Sequence, residues 1–367
     1  MRSQPRQPPD RRRRVTTFTA RLAALAVLLS GRAYGQHPEP PIEEYLRDSI
    51  GVTARELADV RRGAVLTKLL ATQNPRDVTV FGMVQIATSR AAFAPRMADA
   101  RRVVAVRSST YDIFDDPPTA ANLARVAVDP SEYRGLRNCR VEHCDFKLPA
   151  AVMREFTQRV DWSSDSAKAQ VDSLTRADLL RFVSDYRMSG NSAMVEYDDN
   201  HAVRSSDAFI ALLDQSGFLR DYVADLRDYL EFFPAHRPEG VREAMFWKED
   251  RLPHLRPTLT LSHLVMYTTV SGTPLVAVKQ IYADHYFEGA FELTAAFDAP
   301  PASGDAGPAM YLITVRRYRF DALPSGGFLN LRGRVRGRLA DAVRADLELE
   351  RRAAEDANGS RIPHPPL

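Results

Sequence analysis

Residues 328–347 read FLNLRGRVRGRLADAVRADL, and this stretch decides how the rest of the chain is read. Leu331, Val335, Leu339, Val343 and Leu347 recur every four residues, so they fall on one stripe of a helix. Residues 330–354 are therefore expected to form one long helix that buries this stripe. Arg332, Arg334, Arg336 and Arg338 read as a solvated basic face, followed by Asp341, Asp346, Glu348 and Glu350. Peripheral contact with anionic lipid headgroups is the other reading of those arginines, with Phe328 and Leu329 beside them and Arg316, Arg317 and Arg319 adding charge nearby. Gly333 and Gly337 would let the helix approach a surface closely. The arginines around them argue against a membrane dimerisation motif.

Such a stripe needs a flat partner, and the chain supplies strands. In residues 78–86, Val78, Val80, Gly82, Val84 and Ile86 alternate with Thr79, Phe81, Met83 and Gln85, a period of two. Leu259, Leu261, His263, Val265 and Tyr267 share one face of a later strand. Ser271-Gly272-Thr273-Pro274 turns the chain into a strand over 275–282. Phe287, Gly289, Phe291, Leu293, Ala295 and Phe297 alternate with Glu288, Ala290, Glu292 and Thr294, and 310–320 is a further strand. Residues 64–70 are also a strand candidate, and Val103 to Val106 begin another that ends before Asp115. Thr53 with Glu56 forms a capping box for a helix ending near Gly63, after a first helix over 42–50. Thr88-Ser89 caps a short helix through Phe93 and Met97. The middle reads as mostly helical, over 149–160, 166–184, 206–213 and 219–233. Trp162, Tyr186, Tyr197, Phe232, Phe233, Phe246 and Trp247 are expected core aromatics.

VTVFGMVQIATSRAAF at 78–93, followed at the end by the long helix, resembles the START or polyketide-cyclase-like superfamily. The resemblance spans about residues 64–115 and 256–354. It implies an α+β helix-grip fold, in which a curved antiparallel sheet grips a long C-terminal helix, here carrying a large helical insert. VFGMVQI, CRVEHCDFKL and KQIYADHYFEGAFELTA also resemble bacterial secreted proteins, which implies export and adds no catalytic residue. The expected organisation is a signal peptide over 1–35, N-terminal helices over 36–63 and a first part of the helix-grip domain over 64–115. A helical insert over 116–255, the second part of the domain over 256–355 and a disordered tail over 356–367 follow.

The signal peptide is read from arginines 11–14, an apolar run over 22–29 and small residues at Ala33 and Gly35, with cleavage after Gly35. That run is too short to span a bilayer. The whole chain has a formal charge of +3, but residues 1–35 hold eight arginines and one aspartate. Residues 36–367 keep 42 basic and 46 acidic side chains, so the basic excess belongs to the leader. The charge case for nucleic-acid binding fails. In an oxidising compartment Cys139 and Cys144 are expected to pair. Asp145 follows the second cysteine, against haem attachment, and too few ligands cluster for structural zinc.

No serine sits in a nucleophile elbow, no glycine loop cradles phosphate, and residues 197–200 lack the glycine and glutamate of a calcium loop. The leading expectation is an exported soluble protein that binds an apolar or lipid-like small molecule between sheet and last helix, without catalysis, cofactor or resident metal. Its expected lining is His263, Tyr267, Gln280, Tyr282, His285, Tyr286 and Arg317. A second class is a metal-assisted or acid–base hydrolase using His263, His285 and Glu288. A third is an interaction protein acting through the helical insert.

Overall fold

Alternating side chains and helical stripes build an antiparallel sheet with helices on both faces. The structure is a computed structural model that describes residues 39–250, 256–301, 307–321 and 331–358. The expected signal peptide over 1–35, Phe328, Leu329 and the last nine residues of the expected tail lie outside the described residues. In chain order the first elements are α1 (Ile42–Asp48), α2 (Ala54–Arg61), β1 (Leu66–Leu70), β2 (Asp77–Ile86), α3 (Arg90–Met97), α4 (Ala100–Ala105) and β3 (Tyr111–Ile113). Next come α5 (Ala150–Arg159), α6 (Ala167–Ser189), β4 (Glu196–Tyr197), β5 (Val203–Arg204), α7 (Ser205–Leu213), α8 (Gly217–Tyr222) and α9 (Ala224–Phe232). Then follow β6 (Arg242–Asp250), β7 (Thr258–Thr268), β8 (Pro274–Ala283), β9 (Phe287–Ala299), β10 (Ala309–Phe320) and α10 (Leu331–Asn358).

The main sheet has eight strands in the order β1-β2-β10-β9-β8-β7-β6-β3, while β4 and β5 pair separately. Every pairing is antiparallel. On one face, Val335, Leu339, Val343 and Leu347 of α10 join Val80, Val84 and Leu312 of the sheet, with Phe93 of α3 and Val104 of α4. On the other, α6, α7 and α9 pack Tyr186, Phe209 and Leu230 against Leu261, Val265, Ala277 and Phe291, and α1 and α2 add Leu46 and Val60. A smaller core forms where Leu136 and Phe146 meet Phe156 of α5 and Val171 of α6. Among the described residues no helix is long and apolar enough to cross a membrane.

Several local expectations change. Of the strand expected from Val103 to just before Asp115, β3 (Tyr111–Ile113) forms, but its expected start does not, because Val103 and Val104 sit in α4. Asp99 caps that helix, its carboxylate accepting from the Arg101 and Arg102 amides, and this cap outweighs the β-branched pair. β6 lies inside the expected helical insert yet joins the main sheet, burying Phe246 towards α10 and Trp247 towards the insert helices. The helix expected over 219–233 is broken into α8 and α9 at Val223, and Phe232 is exposed rather than core. Helix α10 runs on to Asn358, into the expected tail. Its close approach is made by a strand glycine: a Cβ on Gly82 would lie 2.5 Å from Val343 Cγ1 and 2.8 Å from Leu347 Cδ1. Gly337 faces open space.

The arginines before α10 do not form the expected patch. Arg316 is bound to Asp346 at 2.6 Å, Arg319 to Asp77 at 2.7 Å, and Arg317 donates to the Gln215 carbonyl on the opposite face at 3.1 Å. Arg334 and Arg338 are exposed.

Candidate ligand-binding site

Between the sheet and α10 lies a cavity of about 240 Å³. Its position follows from strand parity. On β7, the residues between the core-facing leucines and valines point the other way, so Thr258, Thr260 and Ser262 form a row of hydroxyls along one wall. Gln280 stands opposite Ser262 in the β7–β8 register, and Tyr318 of β10 adds a phenol that burial pushes up to about 12. Phe246, Val278, Leu339 and Ala342 supply apolar wall.

The charged groups of this cavity neutralise one another. Glu292 of β9 is bound by Arg107, and Arg316 Nε lies 3.0 Å from its other oxygen. Arg316 also reaches Asp346 of α10. Burial pushes the Glu292 carboxyl up, but Arg107 and then Arg316 outweigh this and hold it at about 2. Lys248 and Asp250 pair at 2.6 Å. The neutral groups are less well served. The Thr260 hydroxyl is buried with no hydrogen-bond partner. Ser262 and Gln280, both buried, make no side-chain hydrogen bond among the described residues.

Of the seven residues expected to line this cavity, Gln280 and Tyr286 do so. Tyr286 adopts a positive φ of 60°, and its hydroxyl accepts from the Arg256 amide at 2.8 Å. His263, Tyr267 and Arg317 face the insert helices instead. The His263 ring is fully buried, with Nδ1 3.0 Å from the Tyr186 hydroxyl and Nε2 3.3 Å from Glu243. Burial holds its pKa down. Tyr267 donates to Asp225 at 2.6 Å. Arg317 is lowered to about 10 by burial. Tyr282 belongs to the other face because of a bulge: Leu261 pairs with Tyr282 and Ser262 with Gln280, which leaves Ile281 as the extra residue. A second register shift, where Arg319 pairs with Gly289 and Phe320 with Phe287, turns Phe287 towards α10. His285 lies in the turn between β8 and β9, its Nδ1 3.1 Å from the Asp145 carbonyl and its ring 4.7 Å from that of Phe146.

The proposed hydrolytic set does not assemble. His263 is held by Tyr186 and Glu243, His285 by Asp145, and Glu288 by Arg76, so the three have separate partners. Among the described residues, the His, Asp and Glu side chains that do converge are His201, Glu288 and Asp321, with ligand atoms within 4.8 Å of one another. Arg76 and Lys147 already neutralise that cluster, Lys147 Nζ lying 3.3 Å from Asp321. Sequence reasoning missed Thr260, Ser262, Arg107 and Asp346. The alternation that buried His263 on one face implied the hydroxyl row on the other, so Thr260 and Ser262 carried a usable signal. Arg107 and Asp346, far apart in sequence, carried none.

No family model matches this chain, and no curated protein matches it. Among solved structures the chain is similar to the Zhui aromatase/cyclase from Streptomyces sp. R1128, at 14% identity, over 38% of this chain and 87% of that one, with a TM-score of 0.23. A likeness at that score carries no weight for fold or activity.

Proposed function

We propose that this chain is an exported, non-catalytic binding protein that holds a small amphiphilic molecule between the sheet and α10, as its helix-grip resemblance implies. The observation that carries this reading is the cavity wall of Thr260, Ser262 and Gln280, whose side-chain polar groups have no hydrogen-bond partner among the described residues. An unsatisfied buried hydroxyl costs about 1–3 kcal/mol, which a ligand oxygen or nitrogen would recover. Because Arg107, Glu292, Arg316 and Asp346 neutralise one another, the ligand need not be charged. A volume near 240 Å³ is below the roughly 300–1,000 Å³ typical of pockets for drug-sized ligands. This narrows the expected lipid-like molecule to a short one with a ring or branched apolar body and one or two hydroxyl or carbonyl groups. Export is supported by the leader-like first 35 residues and the placement of Cys139 and Cys144 as a disulfide pair.

The test is native mass spectrometry of the protein from its own host, before and after organic extraction, alongside Ala342→Phe, which fills the cavity from a half-buried helix position. The parent is expected to carry an extractable neutral adduct that the variant lacks. A parent that never carries an adduct, or a variant that retains it, would overturn the reading.

A further inference from the structure

On the opposite face of β7 and β8 lies a second cavity, of about 160 Å³, which shares no lining residue with the first. Its walls are largely apolar and come from separate parts of the chain. The segments flanking the Cys139–Cys144 disulfide give Leu136 and Phe146, α5 gives Val152 and Phe156, and α6 gives Leu179 and Phe182. Leu259 and Tyr282 close it from the sheet.

Set into these walls are carboxyl groups. Glu132 faces Arg256, whose Nε is 3.1 Å away, and Asp178 is bound by Arg181 at 2.5 Å. The second oxygen of Asp178 is buried without a hydrogen-bond partner, as is the nearby Thr175 hydroxyl. Asp284 is the least compensated. Its Oδ1 accepts from the Leu259 amide at 2.9 Å, and no cation among the described residues is paired with it. Its neighbours Glu132 and Glu249 are themselves acidic. Burial, reinforced by these two acids, pushes the Asp284 carboxyl well up, and burial pushes Asp178 up to about 6. A half-buried carboxyl with no cation paired to it among the described residues, at the edge of a largely apolar chamber, is the complement of an ammonium group on an apolar body.

We propose that this chamber binds a small primary amine with an aromatic or compact apolar body, its ammonium group paired with Asp284. The size fits, because an apolar cavity of about 150 Å³ holds a benzene ring. The aromatic rings of Phe146, Phe156 and Phe182 provide the surface such a body packs on. Arg181 at the wall disfavours no cation that seats at Asp284, since it is already engaged by Asp178 and lies 3.8 Å from Glu155.

The test uses three probes of similar shape and different charge: 2-phenylethylamine, 2-phenylethanol and phenylacetate. Each is titrated calorimetrically into the full chain at neutral pH. The amine is expected to bind at least tenfold more tightly than the alcohol, with no detectable heat from the carboxylate. Asp284→Asn is expected to bring the amine down to the affinity of the alcohol. Because Asp284→Asn exchanges a charged acceptor of the Leu259 amide for a neutral one, Val152→Trp serves as a second variant. It fills the chamber from a half-exposed position on α5 and is expected to abolish amine binding. Equal affinity for amine and alcohol, absence of amine binding to the parent, or undiminished amine binding in Val152→Trp would each overturn the proposal. Ala342→Phe, which blocks the cavity under α10, is expected to leave amine binding unchanged, so the two sites fail separately.

Discussion

Lys279 has no solvent exposure, its amino nitrogen lying 4.3 Å from the centre of the Phe209 ring and 5.1 Å from that of Tyr186, with Asn191 Oδ1 as its hydrogen-bond acceptor. Burial alone pushes its pKa well down. In the sequence it heads a polar run, KQIYADHYFE. The structure distributes that run over both faces and a turn. His285, from the same run, gives a pH prediction. Burial holds it at about 4 against an ordinary value of 6.5, so the unfolded chain takes up a proton between these values and the folded chain does not. The stability it contributes is therefore complete above pH 6.5 and is lost as the pH falls towards 4, amounting to about 2 kcal/mol by pH 5. Asp178, raised to about 6, acts with the opposite sign, which is why the comparison must be between variants. Urea unfolding of the parent and His285→Asn at pH 7.5 and 5.0 should show a smaller acid loss in the variant. Equal losses would refute the assignment.

Among the elements, β2 and α10 are coupled through Gly82. A methyl group there would press on Val343 and Leu347, and overpacking of this kind costs about 1–3 kcal/mol. Gly82→Ala should be destabilising by that amount, and Val343→Ala in the same chain should recover part of it. Strict additivity of the two changes would argue against the contact. The loop held by Cys139 and Cys144, five residues apart, is a second case. Closing so short a ring stabilises by roughly 2 kcal/mol in the chain-entropy account. Replacing both cysteines with serine should lower the unfolding free energy by no more than that, and a reductant should change the parent but not the variant. The α10 stripe, the Thr53 capping box and the alternation of β2 and β7 were all legible, because each repeats within a dozen residues. α4 and β6 were not. In α4, a β-branched pair concealed a helix whose cap, Asp99, stood in plain view. In β6, adjacent Phe246 and Trp247 are both buried, on opposite faces, so no alternation survives.

For the whole molecule, the decisive fact is that the sheet is covered twice. α10 with α3 and α4 takes one face, and the insert helices with α1 and α2 take the other. The N-terminal pair is tied in by Glu43, which accepts from the Tyr311 hydroxyl at 2.9 Å and is bound by Arg61. The helix-grip resemblance makes residues 116–255 a helical insert. In the structure they supply β6, which pairs with β7 and β3, and most of one face. That is also why the expected lining residues scattered: a sheet with two covered faces offers two interiors, and nothing in a single strand says which one a side chain enters. The extra residue Ile281 makes this concrete. It acts as a parity switch, so that Gln280 on one side of it opens into one chamber and Tyr282 on the other side into the second. The two chambers can thus be tuned by neighbouring letters of one strand, whereas a single inserted or deleted residue there would exchange their furnishings.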